Sequence, residues 1–300
     1  MLYRARKRIQ NWVFSLQIGG VLETPPIAVI DAPWSIISMV SKSDILMYVL
    51  SIKAFYRHIK RGNVIAIVDR DTPKRDIRTL ETHVKGLKIE VLEDIDPGSC
   101  QIGGTWERLV YLVRYSEQKF AIQMDCDTLV IGRDIDEVVN CAENNIPFTY
   151  SDFHNAPKIL ADVAEESRKF SSNYVGIALE RTFSDWPDAG RLKYARASSG
   201  FAGFSIGGFP ISALEEFHDR MKQALGSRWR EWGTEQSGSN YAISNSPGAI
   251  ILPFPQYATF RDEKQASQSK FLHFIGSRRF NGNFFARHGR RIIRELNDTA

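Results

Sequence analysis

Cysteine is scarce in this chain of 300 residues: only Cys100, Cys126 and Cys141 occur. Their number is odd, no CxxC spacing is present, and each sits in or beside an apolar segment, which argues against a disulfide framework or a cysteine zinc site and for reduced, partly buried thiols. Long hydrophobic runs are missing too. The longest, such as WSIISMV from Trp34, stop well short of the roughly 20 residues that a membrane-spanning helix needs. The opening MLYRARKRIQNWVFSLQIGG is basic, but Asn11, Ser15 and Gln17 interrupt its apolar part and no small-residue cleavage site follows. It does not read as a secretory signal, and a cytoplasmic location is expected. Also absent are internal repeats, low-complexity tracts, a GxxxxGK[ST] phosphate loop, an HExxH metal helix and a strand-to-helix GxGxxG. These absences speak against solenoids, P-loop nucleotide hydrolases, zinc peptidases of that type and dinucleotide-dependent oxidoreductases.

What is present is an ordinary balance of 43% apolar and 25% charged side chains, enough for a sizeable core. The net charge of +4 is uneven. Arg4, Arg6, Lys7 and Arg8 crowd the start, and Arg278, Arg279, Arg287, Arg290, Arg291 and Arg294 outnumber Glu295 and Asp298 at the end. Basic ends of this kind suit peripheral contact with a membrane surface or an anionic polymer, with solvated terminal charge as the plainer reading. Nucleic acid is not expected as a partner, because the basic residues do not line one patterned face with stacking aromatics.

From Trp34 the apolar pattern alternates between strand-like runs and helical spacing. WSIISMV (34–40), VIAIV (64–68), LKIEVL (87–92) and FAIQM (120–124) read as strands. Between them fall a helix from an N-cap at Ser43 to a C-cap at Gly62, a short helix through Leu80 and Val84, and a helix starting near Thr105. This order predicts an α/β fold with a mostly parallel sheet and helices on both faces. Residues 152–196 are polar, mixed and rich in Tyr, Phe and Trp, and read as an insertion over the active site. Further on, ISALEEFHDRMKQAL and the stretch around WGTEQSGSNYAIS read as helices, and AIILP and FLHFI as strands. The resulting division is a basic arm over 1–33, a domain over 34–280 and a basic tail over 281–300.

The stretch AIQMDCDTLVI ends an apolar strand on two carboxylates, Asp125 and Asp127, with Cys126 between them. In open α/β sheets ligands sit beyond the carboxyl ends of the strands. On an extended segment alternate residues share a face, so the two carboxylates can point together while Cys126 turns to the core. Neighbouring anions call for a cation or a shared proton, and paired carboxylates are hard-oxygen ligands for Mg²⁺ or Mn²⁺. A polar turn that merely ends the strand is the bland alternative. Just upstream, IGGTWERLVYLVRYS offers two glycines, an N-cap threonine and Arg108 in a first helical turn, a setting that suits a phosphate. Asp69, closing the strand before DRD, is placed to accept from a base or ribose.

Another segment points elsewhere. GFSIG (203–207) satisfies the G-x-S-x-G pattern of a hydrolase with Ser205 as nucleophile, and Asp262 and His273 follow in the order such a triad requires. The lead-in YARASSGFA is not an apolar strand, however, and Gly208, Phe209 and Pro210 delay any helix. A serine hydrolase and a non-catalytic binding module stand as alternatives.

Taken together, the motifs resemble those of GT-A type glycosyltransferases, closest in style to the glycogenin and bacterial lipopolysaccharide galactosyltransferase family (family eight), over roughly residues 34–280. HFIGSRR is similar to that family's HxxGxxK signature, with Arg279 in place of lysine. The resemblance implies a Mn²⁺ or Mg²⁺ ion held by Asp125, Asp127 and His273, with Gly276 and Arg279 at the diphosphate of a nucleotide sugar that Asp125 also touches. EQSGSN (235–240) resembles the family's DQDxxN, with Glu235 for the aspartate and Gln236 and Asn240 kept, and implies contact with the transferred sugar at Glu235 and Gln236. SSGFAGFSI resembles its NxGxxL-type segment, with Ser198 for asparagine and Gly200 retained. Ser41, Asp69 and Arg108 would complete the nucleotide-sugar site. The implied activity is metal-dependent transfer, with retention of configuration, of a sugar from a nucleoside diphosphate donor, uridine-linked, to a hydroxyl of a glycan, lipid-linked sugar or small molecule.

Overall fold

The computed structural model describes residue 10 and residues 12–298. The cluster Arg4, Arg6, Lys7 and Arg8 lies outside the described residues. Two compact units share the chain. The first takes residues up to Val91, Met124–Val138 and the stretch from Pro255 onward, and the second takes Leu92–Gln123 and Val139–Phe254.

The first unit opens with β1 (Trp34–Val40), α1 (Ile45–Ile59), β2 (Asn63–Val68), α2 (Lys74–His83) and β3 (Lys88–Val91). The three strands are parallel, with β2 in the middle, Ile36 opposite Val64 and Ile65 opposite Lys88. β1 is buried along nearly its whole length, which is why it reads as a continuous apolar run rather than an alternating one. α1 is apolar on almost every face because it is buried on almost every face. Its one interior cation, Lys53, is fully buried and donates to the Thr24 hydroxyl (2.7 Å), the Pro25 carbonyl (2.8 Å) and Nδ1 of His83 (3.1 Å). The helix starts after Asp44, not Ser43, and ends at Lys60 in the left-handed conformation rather than at Gly62.

The second unit contains α3 (Trp106–Tyr115) and β4 (Phe120–Met124), whose last residue adjoins the unit boundary. The first unit resumes with β5 (Thr128–Val130), and the second with β6 (Phe148–Tyr150), α4 (Leu160–Ser167), α5 (Val175–Thr182), β7 (Ser198–Phe204), α6 (Ile211–Leu225), α7 (Thr234–Ser244) and β8 (Ile250–Leu252). Within this unit the strand order is β8, β6, β7, β4, with β8 parallel and β7 antiparallel to β6. The fold is thus mixed α/β on mostly parallel sheet, as the alternating pattern predicts. Residues 152–196, polar on average, nonetheless form α4 and α5 and bury Phe183, Trp186 and Tyr194. Their apolar positions are too short in run to show helical periodicity.

The chain closes in the first unit with β9 (Tyr257–Thr259), β10 (Phe271–His273) and α8 (Phe284–Asp298). The basic stretch expected as a tail is therefore a docked amphipathic helix: Phe284, Phe285, Ala286, Gly289 and Ile292 are buried, while Arg287, Arg290 and Arg294 are exposed. Arg291 donates to the Ile131 carbonyl (2.8 Å) and Glu295 pairs with Arg57 on α1 (2.6 Å). Among the described residues no helix is long and apolar enough to cross a membrane.

Candidate active site

β4 stops at Met124, and Asp125, Cys126 and Asp127 form a turn rather than the extended segment the alternation suggests. The Thr128 amide (3.3 Å) and hydroxyl (2.8 Å) both donate back to the Asp125 carbonyl and close that turn. Cys126 is buried beneath it, its thiol 3.2 Å from the Met39 carbonyl on β1. The two carboxylates thus share one side through a turn, the conformation in which Asp and its neighbours satisfy the backbone locally.

β5 leaves this turn and pairs antiparallel with β10, with Val130 opposite Phe271 and Thr128 opposite His273. The Phe274 amide continues the ladder to the Asp127 carbonyl at 2.8 Å. Register alone therefore sets His273 beside the acidic turn. Behind β10, Phe260, Phe274, Phe284 and Phe285 stack with ring centroids 4.7–6.1 Å apart and fix the strand. Nε2 of His273 lies 3.0 Å from Oδ1 of Asp127 and 3.6 Å from Oδ2 of Asp125. Burial disfavours charge on both His273 and Asp127, but their mutual attraction outweighs it. The Asp127 carboxyl is held below the usual carboxylate range and the imidazole above its ordinary value.

The turn after β10 brings in a cation. Gly276 has φ +60, the left-handed region that glycine enters freely. The chain then doubles back so that Nε of Arg279 donates to the Gly276 carbonyl at 2.8 Å. The rest of the guanidinium forks, with Nη2 3.0 Å from Oδ2 of Asp127 and Nη1 3.3 Å from Oδ1 of Asp44. Asp44 is a residue that pattern reading passed over. Its position ahead of α1 looks like capping, yet its side chain makes no cap and instead joins Ser41, whose hydroxyl donates to Oδ2 at 2.7 Å. Asp69 lies in the first unit past the end of β2, with its carbonyl accepting from the Thr72 amide at 3.0 Å. In the first unit, Asp125, Asp127, His273, Gly276, Arg279 and Ser41 thus come together. The three metal-ligand candidates offer donor atoms within 4.8 Å of one another, and two carboxylate oxygens with one imidazole nitrogen are a donor set suited to Mn²⁺.

A second constellation belongs to the second unit. Glu235 opens α7 and is buried; Oε1 meets Nη2 of Arg108 at 3.2 Å, and Oε2 accepts from the Ser199 hydroxyl at 3.1 Å. Arg108, expected to face a phosphate, is itself buried against this carboxylate. The amide of Gly103 is likewise taken, donating to Oε1 of Glu107 at 2.6 Å, and Thr105 makes no side-chain cap. Of these residues, Arg108 is the one that holds Glu235. Ser199, which the sequence comparison skipped in favour of its neighbour, is the hydroxyl that reaches it. The Ser198 hydroxyl accepts from the Gly200 amide at 3.2 Å, so the pair shapes the start of β7. Gln236 is half-buried on the same helical turn. Asn240 donates to the Ala197 carbonyl at 3.0 Å.

Ser205 follows β7, but α6 begins only at Ile211, after Pro210 as its N-cap. The sharp strand-to-helix elbow that exposes a hydrolase nucleophile is therefore not formed, and Ser205 is buried. Asp262 accepts from the Gln265 amide at 2.8 Å as a helix cap, and Nε2 of His273 is engaged by the two carboxylates. None of the three is arranged for a triad.

Comparison with solved structures places this geometry. The galactosyltransferase LgtC, in complex with donor and acceptor sugar analogues, matches 88% of this chain and 95% of its own, with TM-score 0.52 and 9% identity. The fold is of the GT-A glycosyltransferase type. The bifunctional glycosyltransferase WbbM in its apo form matches 83% of the chain with TM-score 0.51 and 15% identity, but the match spans only 46% of WbbM. Apo GlyE of Streptococcus pneumoniae TIGR4 matches 88% with TM-score 0.50 and 11% identity, over 63% of its length. No protein-family model matches the sequence, and no curated protein does. Within the GT-A fold, the Asp125–Asp127 turn and His273 lie on the unit that carries the parallel β1, β2 and β3.

Proposed function

We propose that the protein is a metal-dependent glycosyltransferase that moves a sugar from a uridine diphosphate donor to a hydroxyl acceptor with retention of anomeric configuration. The observation that carries this reading is the meeting of Asp125, Asp127 and His273 with the Arg279 guanidinium. Carboxylates bound to a cation and backed by an arginine are what a leaving diphosphate requires. Residues Asp125, Asp127 and His273 would hold Mn²⁺, which when bound supplies positive charge for the diphosphate. Arg279, next to these ligands, would add a planar two-point donor to phosphate oxygens. Ser41 and Asp69, near the ends of β1 and β2, are on the elements that would seat the nucleoside. The motif resemblance assigns Glu235 and Gln236 to the transferred sugar. Because Glu235 is locked between Arg108 and Ser199, it would meet the sugar as a fixed carboxylate rather than a mobile base. Gln236 is the neutral partner that contacts the sugar.

Thermal unfolding with UDP-sugars, with and without Mn²⁺, tests the proposal. Stabilisation by a UDP-sugar only when metal is present, and its loss in Asp127→Ala, is the expected result. A shift that ignores the metal, or that survives in Asp127→Ala, would overturn it.

A further inference from the structure

Besides Phe254 at its boundary, four aromatic rings of the second unit are exposed among the described residues. Trp232 is 75% exposed, Phe153 64%, Phe170 43% and Tyr174 38%. The same unit buries Phe183, Trp186, Phe217 and Tyr241 in a stacked cluster, so these rings are outside although the unit has an aromatic core. Exposed apolar side chains that gather in a patch mark binding surfaces, whereas single ones are ordinary.

The rings are also braced. Tyr174 is the N-cap of α5, and its ring lies against two glycines. A Cβ on Gly176 would come within 2.6 Å of Cε1, and one on Gly233, which has φ +99, would collide with the phenol oxygen. Trp232 precedes Gly233 and sets its indole 6.4 Å from the Tyr174 ring, tilted by 48°. Arg228 ties the two loops together, donating to the Asn173 carbonyl at 2.6 Å and pairing with Glu231 at 3.0 Å. At the other pair, the Arg196 guanidinium stands 4.5 Å from the centre of Phe170 and 5.7 Å from that of Phe153, while its own fork is held by buried Glu180. Burial first, then the charges of Glu180 and Glu235, raise the pKa of Tyr174. The Tyr174 hydroxyl also lies against Gly233, two positions ahead of Glu235 in the chain.

We infer that this strip, Trp232 and Tyr174 with Phe170 and Phe153, is a platform for the sugar rings of the acceptor, so that the acceptor is a carbohydrate chain. This rests on the proposed function. A pyranose has an apolar C–H face that stacks on an aromatic ring and a rim of hydroxyls that seek charged partners. The strip offers that alternation: flat rings, with the partly exposed Arg196 guanidinium against Phe170 and Phe153 and the Arg228–Glu231 pair beside Trp232 and Tyr174. An acyl chain would call for a continuous apolar groove, which ion pairs interrupt.

The experiment uses the full chain carrying Trp12→Phe, which removes the other strongly exposed indole (64%). Acrylamide quenching of tryptophan emission is measured with lactose, maltotetraose, cellotetraose and chitotetraose at millimolar concentration, and the affinities are followed by ligand-observed NMR. At least one saccharide should protect the emission. Trp232→Ala should weaken that saccharide about tenfold, and Trp232→Phe should restore most of the affinity. No protection by any of the four, or binding to Trp232→Ala as tight as to the parent, overturns the inference. The Mn²⁺ and UDP-sugar thermal shift of the same parent protein separates the two readings. A metal-dependent shift without saccharide protection sinks the platform alone. Protection without the shift sinks the donor assignment and leaves the carbohydrate strip standing.

Discussion

Asp127 and Arg279, 152 positions apart, meet at 3.0 Å, and the other oxygen of the same carboxylate meets His273 at the same distance. Asp127 is therefore neutralised from both sides before any ligand arrives. A cation held by Asp125, Asp127 and His273 would compete with the Arg279 guanidinium for Asp127, and a guanidinium so released would be available to a ligand's phosphates.

Removing Arg279 tests that exchange. Arg279→Ala should lower stability by about 1–3 kcal/mol in metal-free buffer, the scale of hydrogen bonds to charged groups. Most of the loss should return on adding Mn²⁺, because the cation replaces the lost positive charge. The KM for the donor should stay raised even at saturating metal. Thermal unfolding with and without Mn²⁺, alongside donor titration of transfer rates, measures both parts. An equal stability loss in the two buffers would contradict the exchange.

His273 makes a prediction about metal choice. Imidazole favours Mn²⁺ over Mg²⁺, whereas carboxylates alone discriminate little. Mn²⁺ should therefore bind the parent protein more tightly than Mg²⁺, and His273→Ala should narrow that gap while weakening both. Calorimetric titration of each metal into both proteins would show it.

The buried pair Arg108 and Glu235 should behave as a coupled unit. Arg108→Met takes the guanidinium away from buried Glu235 and should cost about 3–5 kcal/mol. Adding Glu235→Gln to Arg108→Met should recover a substantial part of that cost, since the stranded charge is gone. Urea unfolding of the two single variants and the double variant closes the cycle. Simple additivity of the two losses would show that the pair does not act together.

Lys53 predicts a pH dependence on the alkaline side. Burial lowers its pKa from 10.5 to about 8, so between these values the unfolded chain binds the extra proton and the folded chain does not. Stability from this group therefore rises with pH across that window, and its unfavourable contribution, roughly 3 kcal/mol, is complete below pH 8. Urea unfolding free energies of the parent, minus those of Lys53→Met, should increase by up to that amount from pH 7 to 10.5. A flat or falling difference would remove the claim.

Much of this chain is legible without coordinates. Strands such as WSIISMV and VIAIV are buried on both faces, and that environment leaves continuous apolar runs as its trace. Asp125, Asp127, His273, Gly276 and Arg279 stand out because short motifs record local geometry, such as a turn that accepts only certain residues. By contrast, the docked helix over Phe284–Asp298 reads as a loose basic tail. Its arginines dominate the composition, and its apolar stripe has meaning only against the face of α1 that it covers.

Sequence by itself determined which residue types the site would use, because ligand chemistry and chain reversal select side chains one at a time. Tertiary structure alone decided which of them meet. The pairing of Thr128 with His273 brings an imidazole to the acidic turn, and Arg108 meets buried Glu235, 127 positions along the chain. Asp44 and Ser199 enter the site only through side-chain contacts with Arg279 and Glu235. Strand register and the pairing of buried charges depend on atoms far apart along the chain, so no local pattern records them.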